Sequence, residues 1–206
     1  REQDRKGLER YYTACDIIKE IISSNGKTEI GHSELFNYIS RSYRNSLLGV
    51  DYLKNYDGMI NSGYFNGTAI DQDFIPRKIS TASIVIEGVK KGENPLHTIM
   101  WTILGYPSCS VAIPLFVGDG DHLPSYMKKS SSSPNSLLCD YALHIKGKYV
   151  FPRSVSNGSK YMDLAAVIKG EEGRPSLLSC CQKTDKSIEN EFNPLFDQWV
   201  NGSISD

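Results

Sequence analysis

Five cysteines and four histidines are the side chains of this sequence best suited to nucleophilic or metal chemistry. Cys109 is the most suggestive, because it follows a Pro107-Ser108 turn and opens an apolar run. A cysteine nucleophile needs an adjacent base or a lowered pKa. The flanking Ser108, Ser110 and Val111 supply neither, so Cys109 reads as a structural thiol facing the core. Cys180 and Cys181 fall within a helical segment and read as two buried or half-buried thiols, with a vicinal disulfide as the alternative. Cys15 and Cys139 complete an odd count, which cannot pair fully within the chain, and no two cysteines have the Cys-x-x-Cys spacing of a zinc site. His32, His97, His122 and His144 show no His-x-x-x-His spacing either. His97 is read as starting a strand and His144 as lying on a helix, both as ordinary surface or core residues. The run Gly118 to Asp121 lacks the ligand series and closing glutamate of a calcium loop, so it reads as a solvated turn. No dinucleotide or phosphate-loop signature and no Gly-x-Ser-x-Gly elbow occurs. The residues by themselves call for no metal, no cofactor and no self-contained catalytic constellation.

The totals narrow the partners. With 23 basic and 24 acidic residues the formal net charge is -1, which is not the basic field of a nucleic-acid binder. No apolar run reaches the roughly 20 residues that span a bilayer, so no membrane partner is expected. The opening "REQDRKGLER" has no apolar core behind its charges and does not read as a signal peptide. Sequons at Asn66, Asn157 and Asn201 are short motifs that arise often by chance.

The elements that would carry these residues follow from periodicity. "DRKGLERYYTACDIIKEIISSNG" predicts an amphipathic helix with Leu8, Tyr11, Tyr12, Cys15, Ile18 and Ile22 on its inner face, ending at Asn25-Gly26. "SELFNYISRSYR" predicts a second helix capped by Ser33, with Leu35, Phe36 and Ile39 inward. Residues 47–78, rich in glycine, asparagine and aspartate, read as a long irregular connection with room for one helical turn. "STASIVIEGV", "LHTIMWTILG" and "CSVAIPLFV" predict three strands of an antiparallel meander, and the apolar "TIMWTIL" calls for cover on both faces. The serines 130–133 read as an exposed connector. Two further helices are predicted over 137–146 and 161–199, the second interrupted near Gly170 to Pro175, with Phe192, Leu195, Phe196 and Trp199 docking onto the body. The class is α+β, helices outside and sheet inside.

The strand block has a further property. Thr81-Ala82-Ser83 opens a strand, an apolar strand ends at Gly105, Pro107 and Cys109 open the next, and "FIPR" (Phe74 to Arg77) precedes them. With the upstream helix "DRKGLERYYTACDII", this pattern over roughly residues 1–117 resembles the linear-amide N-terminal-nucleophile hydrolases, especially the acyl-coenzyme A:6-aminopenicillanate acyltransferase-like proteins. Choloylglycine hydrolases and penicillin V acylases are more distant relatives. No resemblance extends over residues 118–206.

The resemblance implies a four-layer αββα sandwich with antiparallel sheets. It implies cleavage or transfer of acyl groups at linear, non-peptide C–N amide bonds by a cysteine that self-cleavage leaves at the N-terminus. That cysteine's own α-amine would be the base, and backbone N–H groups and asparagines would hold the oxyanion. Since the chain opens on Arg1, the expectation is a C-terminal portion of one such domain, inactive alone, whose nucleophile comes from an upstream segment or chain; the other partner is a small-molecule acyl amide. Arg5 is the best match to the family's arginine that points at the nucleophile, although Asp4 and Lys6 replace the serine and phenylalanine of that motif. The family pattern implies a periplasmic or extracellular location, with the cytoplasm as the alternative. A non-catalytic binding or structural module of the same fold is the competing function.

Overall fold

Helix α1 spans Leu8–Asn25, but its buried stripe is Thr13, Ile17 and Ile21, one position away from the predicted face. Leu8, Tyr11, Tyr12 and Ile22 are exposed. The isoleucine doublets at 17–18 and 21–22 create two overlapping apolar stripes, between which periodicity cannot choose. Tertiary anchors make the choice: Thr13 Oγ1 accepts the Ser46 amide at 3.0 Å, and Glu20 pairs with Arg44 at 2.7 Å. The computed structural model describes residues 7–25, 29–116, 122–153, 158, 160–171 and 173–202.

Helix α2 is a single turn, His32–Glu34, that runs on as a wider π-helical stretch, Leu35–Ser40. Gly31, not Ser33, is its cap, with the Glu34 carboxylate reaching back to the Gly31 amide at 3.1 Å. Ser33 lies inside the turn and donates its hydroxyl to Glu189 instead. The stretch predicted as irregular is largely ordered. Strands β1 (Arg44–Asn45) and β2 (Val50–Asp51) form a short hairpin, followed by helix α3 (Tyr52–Asn61) and strand β3 (Thr68–Ile70). Asp51 starts α3 by accepting the amides of Leu53 and Lys54 at 3.1 and 3.2 Å, a cap signal that the surrounding turn formers mask.

The meander forms as predicted: β4 (Ala82–Glu87), β5 (Ile99–Leu104) and β6 (Ala112–Phe116), antiparallel in the order β4-β5-β6. His97 sits in a 3-10 turn just before β5 rather than in the strand. The β5–β6 turn depends on Gly105, whose φ is 88°. A Cβ there would stand 2.5 Å from Ala142 Cβ, because helix α4 (Leu137–Ile145) packs directly on the turn.

The segment predicted as one interrupted helix is different in its first half. Tyr161–Asp163 is strand β7, paired antiparallel with β3. That partner lies far upstream, and no local pattern reports it. Helix α5 (Leu164–Ile168) and a two-residue hairpin, β8 (Gly170–Glu171) with β9 (Arg174–Pro175), precede helix α6 (Leu177–Val200). Two hydrophobic clusters result. Tyr43, Phe74, Tyr106, Phe151, Met162 and Leu164 anchor one. The other lies between the meander and α6, joining Phe36, Trp101 and Ile103 to Ile188, Phe192 and Phe196. Leu195, predicted to dock, faces solvent.

Candidate functional site

The pairing register assigns every meander residue to one of two faces. Ser83–Ile103–Ala112, Val85–Trp101–Pro114 and Glu87–Ile99–Phe116 share the first face; Ala82–Leu104, Ile84–Thr102–Ile113 and Ile86–Met100–Leu115 share the second. The first face is closed by α6 and Phe36. The second is nearly all apolar, yet Ile84 and Ile86 are 53% and 66% exposed. Thr102, buried among them, has no hydrogen-bond partner for its hydroxyl among the described residues. Strand β4 also pairs on one side only among the described residues. The opposite border, β6, carries Pro114, which has no N–H to offer a further strand. The border at β4 has no proline, and so it is the one able to extend.

Polar clamps hold the closed face. The His32 ring lies flat on Trp101, centroids 3.8 Å apart. Its Nδ1 meets Glu87 Oε1 at 2.8 Å and its Nε2 meets Glu189 Oε1 at 3.1 Å. Glu87 Oε2 accepts Trp101 Nε1–H at 3.0 Å, and Glu189 Oε2 accepts Lys186 at 3.1 Å. Burial lowers the His32 pKa, but the two carboxylates outweigh it and the net shift is upward. The hydrogen bond from His32 holds Glu87 below the usual carboxylate range. Burial raises Glu189, but bonds from Ser33 and Lys186 and the charge of His32 bring it below its ordinary value. With a carboxylate on each nitrogen, both ring nitrogens of His32 are engaged and its protonated form is favoured. It ties α2, β4 and α6 together.

A second clamp fixes the β5–β6 turn. Arg41, fully buried, donates Nε–H to Pro107 O at 2.8 Å, Nη2 to Ser110 O at 2.9 Å and Nη1 to Asp185 Oδ2 at 2.5 Å. The other Asp185 oxygen accepts the Ala112 amide at 2.8 Å. Each charge is thus both paired and hydrogen-bonded, the condition for burying an ion pair without a large net penalty. Beneath the turn, Tyr43 hydrogen-bonds Ser108 at 2.7 Å and Tyr106 at 3.1 Å.

The thiols beside this turn are poor nucleophiles as they stand. Burial pushes Cys109 far up, and raises Cys181 to about 11. Cys181 donates to Ser108 O at 3.5 Å, while Cys180 is exposed. All five cysteines are free. His97 packs against Phe196 and Trp199, and His144 and His122 lie at the surface. Arg5 and the run 118–121 lie outside the described residues. Among the described residues, no group of three His, Cys, Asp or Glu side chains could hold a metal ion, and no helix is long and apolar enough to cross a membrane.

Sequence reasoning missed Arg41, Glu87, Asp185 and Glu189, whose partners are distant along the chain. Glu87 alone had a local signal, as a charge ending the apolar "ASIVIE"; Arg41, Asp185 and Glu189 stand among polar neighbours and had none. No family model matches this chain, and neither a curated protein nor a solved structure does.

Proposed function

We propose that this chain is the C-terminal portion of an N-terminal-nucleophile amidohydrolase or acyltransferase that acts on linear C–N amide bonds. The nucleophilic cysteine belongs to an upstream segment. The observation that carries this reading is the uneven cover of the meander: helices pack on one face, while on the other Ile84 and Ile86 are exposed along the β4 border and Ile113 and Thr102 are buried. A helix layer on a sheet whose second face is apolar is half of an αββα sandwich. A second sheet packed about 10 Å away would bury that face. The uncovered stripe Leu8, Tyr11, Tyr12 and Ile22 on α1 supports it too, since a sheet edge and a helix face left open together suit one large missing segment.

In such an enzyme the cysteine thiol gives its proton to its own α-amine, a base of pKa about 8. The thiolate attacks the amide carbon, the amine leaves with a proton, and the acyl group remains as a thioester. Water or a second amine then takes the acyl group and restores the thiol. This chain's part is to hold the sheet that positions the reacting segment. Its clamps at His32 and Arg41 keep β4, β5 and the β5–β6 turn in register with α6. Arg5 would help orient the nucleophile.

The test is hydrolysis of a panel of acyl amides by the intact protein, with and without a thiol alkylator. Turnover that the alkylator abolishes, and that an upstream Cys→Ala substitution also abolishes, is the expected result. An upstream sequence with no cysteine, serine or threonine ahead of a strand overturns the enzyme reading.

A further inference from the structure

A cavity of about 320 Å³ opens between α1, the π-helical stretch and the start of α3. Ile17, Ile21, Tyr38 and Leu53 supply its apolar lining, and Glu20, Arg44, Asp51 and Lys54 its charged lining. The same four charged residues line a second cavity of about 280 Å³ beside the β1–β2 hairpin, so the two cavities meet at them. An apolar lining with a few placed polar groups is the make-up of a small-molecule site. The charges are not evenly engaged. Both Glu20 oxygens are taken, Oε1 by Arg44 at 2.7 Å and Oε2 by Lys54 at 3.4 Å, and Asp51 Oδ1 accepts the Leu53 and Lys54 amides. The cations keep donors to spare. Arg44 uses Nε–H on Ser46 Oγ and Nη1 on Glu20, while Nη2 has no hydrogen-bond partner among the described residues. Nη2 is not one of the chain's buried unpaired atoms, so it reaches solvent. Lys54 Nζ makes one hydrogen bond among the described residues, to Glu20, and its side chain is 69% exposed. Accessible donors in surplus select an anion. The half-exposed Glu20 carboxylate, seated between the two cations, shows the place such a head group would take.

We propose that this cavity binds a small carboxylate with an apolar tail. The head lies between Arg44 and Lys54 in the place of Glu20, which turns out to solvent, and the tail lies on Ile17, Ile21, Tyr38 and Leu53. A cavity of about 150 Å³ accommodates benzene, which sets the tail at roughly eight to twelve carbons. The site shares no residue with the open sheet face and does not rest on the acyl-transfer reading.

The experiment is a titration of the intact protein with octanoate, 1-octanol, octylammonium and acetate. It is followed through the amide NMR signals of Ser24, Tyr38 and Leu53, which line this cavity, and of Asp16 and Gly49, which line only its neighbour. Octanoate is expected to give saturable shifts, larger in the first set, and to bind about three- to tenfold more tightly than octanol, the worth of one partly exposed hydrogen bond. Octylammonium and acetate are expected to give none, the first for its charge and the second for want of a tail. Lys54→Gln, at an exposed position, should weaken octanoate about threefold and leave octanol unchanged. Glu20→Gln should tighten octanoate by a similar factor, because it removes the carboxylate that competes for the two cations. The proposal is overturned if octanoate gives no saturable shift below its micelle concentration, or if octanol, octylammonium or acetate binds as well. It is also overturned if the larger shifts fall at Asp16 and Gly49, if Lys54→Gln leaves octanoate binding unchanged, or if Glu20→Gln weakens it.

Discussion

The two faces of the β4-β5-β6 meander differ in kind, although both are built from the same three strands. The closed face combines apolar packing with paired charges: Arg41 with Asp185, and His32 with both Glu87 and Glu189. The open face has no charge at all in its register, only apolar side chains and the hydroxyl of Thr102. The difference teaches that the ion pairs that hold the chain together are confined to one face of the sheet. A face already complete can carry ion pairs, because α6 and α2 supply their partners. Under the proposed function the exposed apolar face would be covered, and a charge there would end up buried without a partner.

The largest expected effect breaks the closed face. Arg41→Met leaves Asp185 as an unpaired carboxylate against the Ala112 amide, and should cost about 3–5 kcal/mol in urea unfolding. A cost below about 1 kcal/mol would mean that α6 holds the turn without the ion pair. Next is His32→Gln, which removes a charge-assisted link to two carboxylates and should cost about 1.5–3 kcal/mol near pH 6.

The same clamp sets the pH dependence. The raised pKa of His32 means that its contribution is complete below its ordinary value of 6.5, and is lost as pH rises through the folded value. The lowered pKa values of Glu87 and Glu189 mean that theirs is complete above 4.5, and is lost as pH falls through the folded values. Stability from this cluster should therefore peak between those limits and decline on the alkaline side. His32→Gln should flatten the alkaline decline; a pH profile that keeps its slope in the variant would assign the effect elsewhere.

The smallest effect on stability should come from the open face, and it sharpens the comparison most. Ile84→Thr with Ile86→Thr should change the chain's own unfolding free energy by no more than about 0.5 kcal/mol per site. If the proposed upstream segment covers this face, the same pair should weaken its association with the chain, measured by co-purification of separately expressed parts. If the double variant destabilises the chain as much as His32→Gln does, the face is already covered and the one-sided reading fails.

Much of this fold was legible in local pattern. The meander at "STASIVIEGV", "LHTIMWTILG" and "CSVAIPLFV", the helical character of residues 8–25 and the docking aromatics of α6 follow from period, turn residues and β-branching, which act over a few residues. Helix α3 was hidden because Asp51, its cap, stands among turn formers that compete for the same reading. The functional residues were far less legible. His32 looked like any other histidine until α6 brought Glu189 to its ring, and Arg41 gave no sign of burial.

The amino-acid sequence by itself determined the three strands of the meander and the helical character of residues 8–25, because side-chain period and turn residues are properties of neighbours along the chain. Tertiary structure alone decided which residues of α1 are buried, which charges meet, that Tyr161–Asp163 is a strand, and that helix α6 covers one face of the meander while Ile84 and Ile86 on the other stay exposed. Those outcomes depend on which partners arrive from elsewhere in the chain, and burial, ion pairing and strand pairing take their energy from such contacts rather than from local propensity.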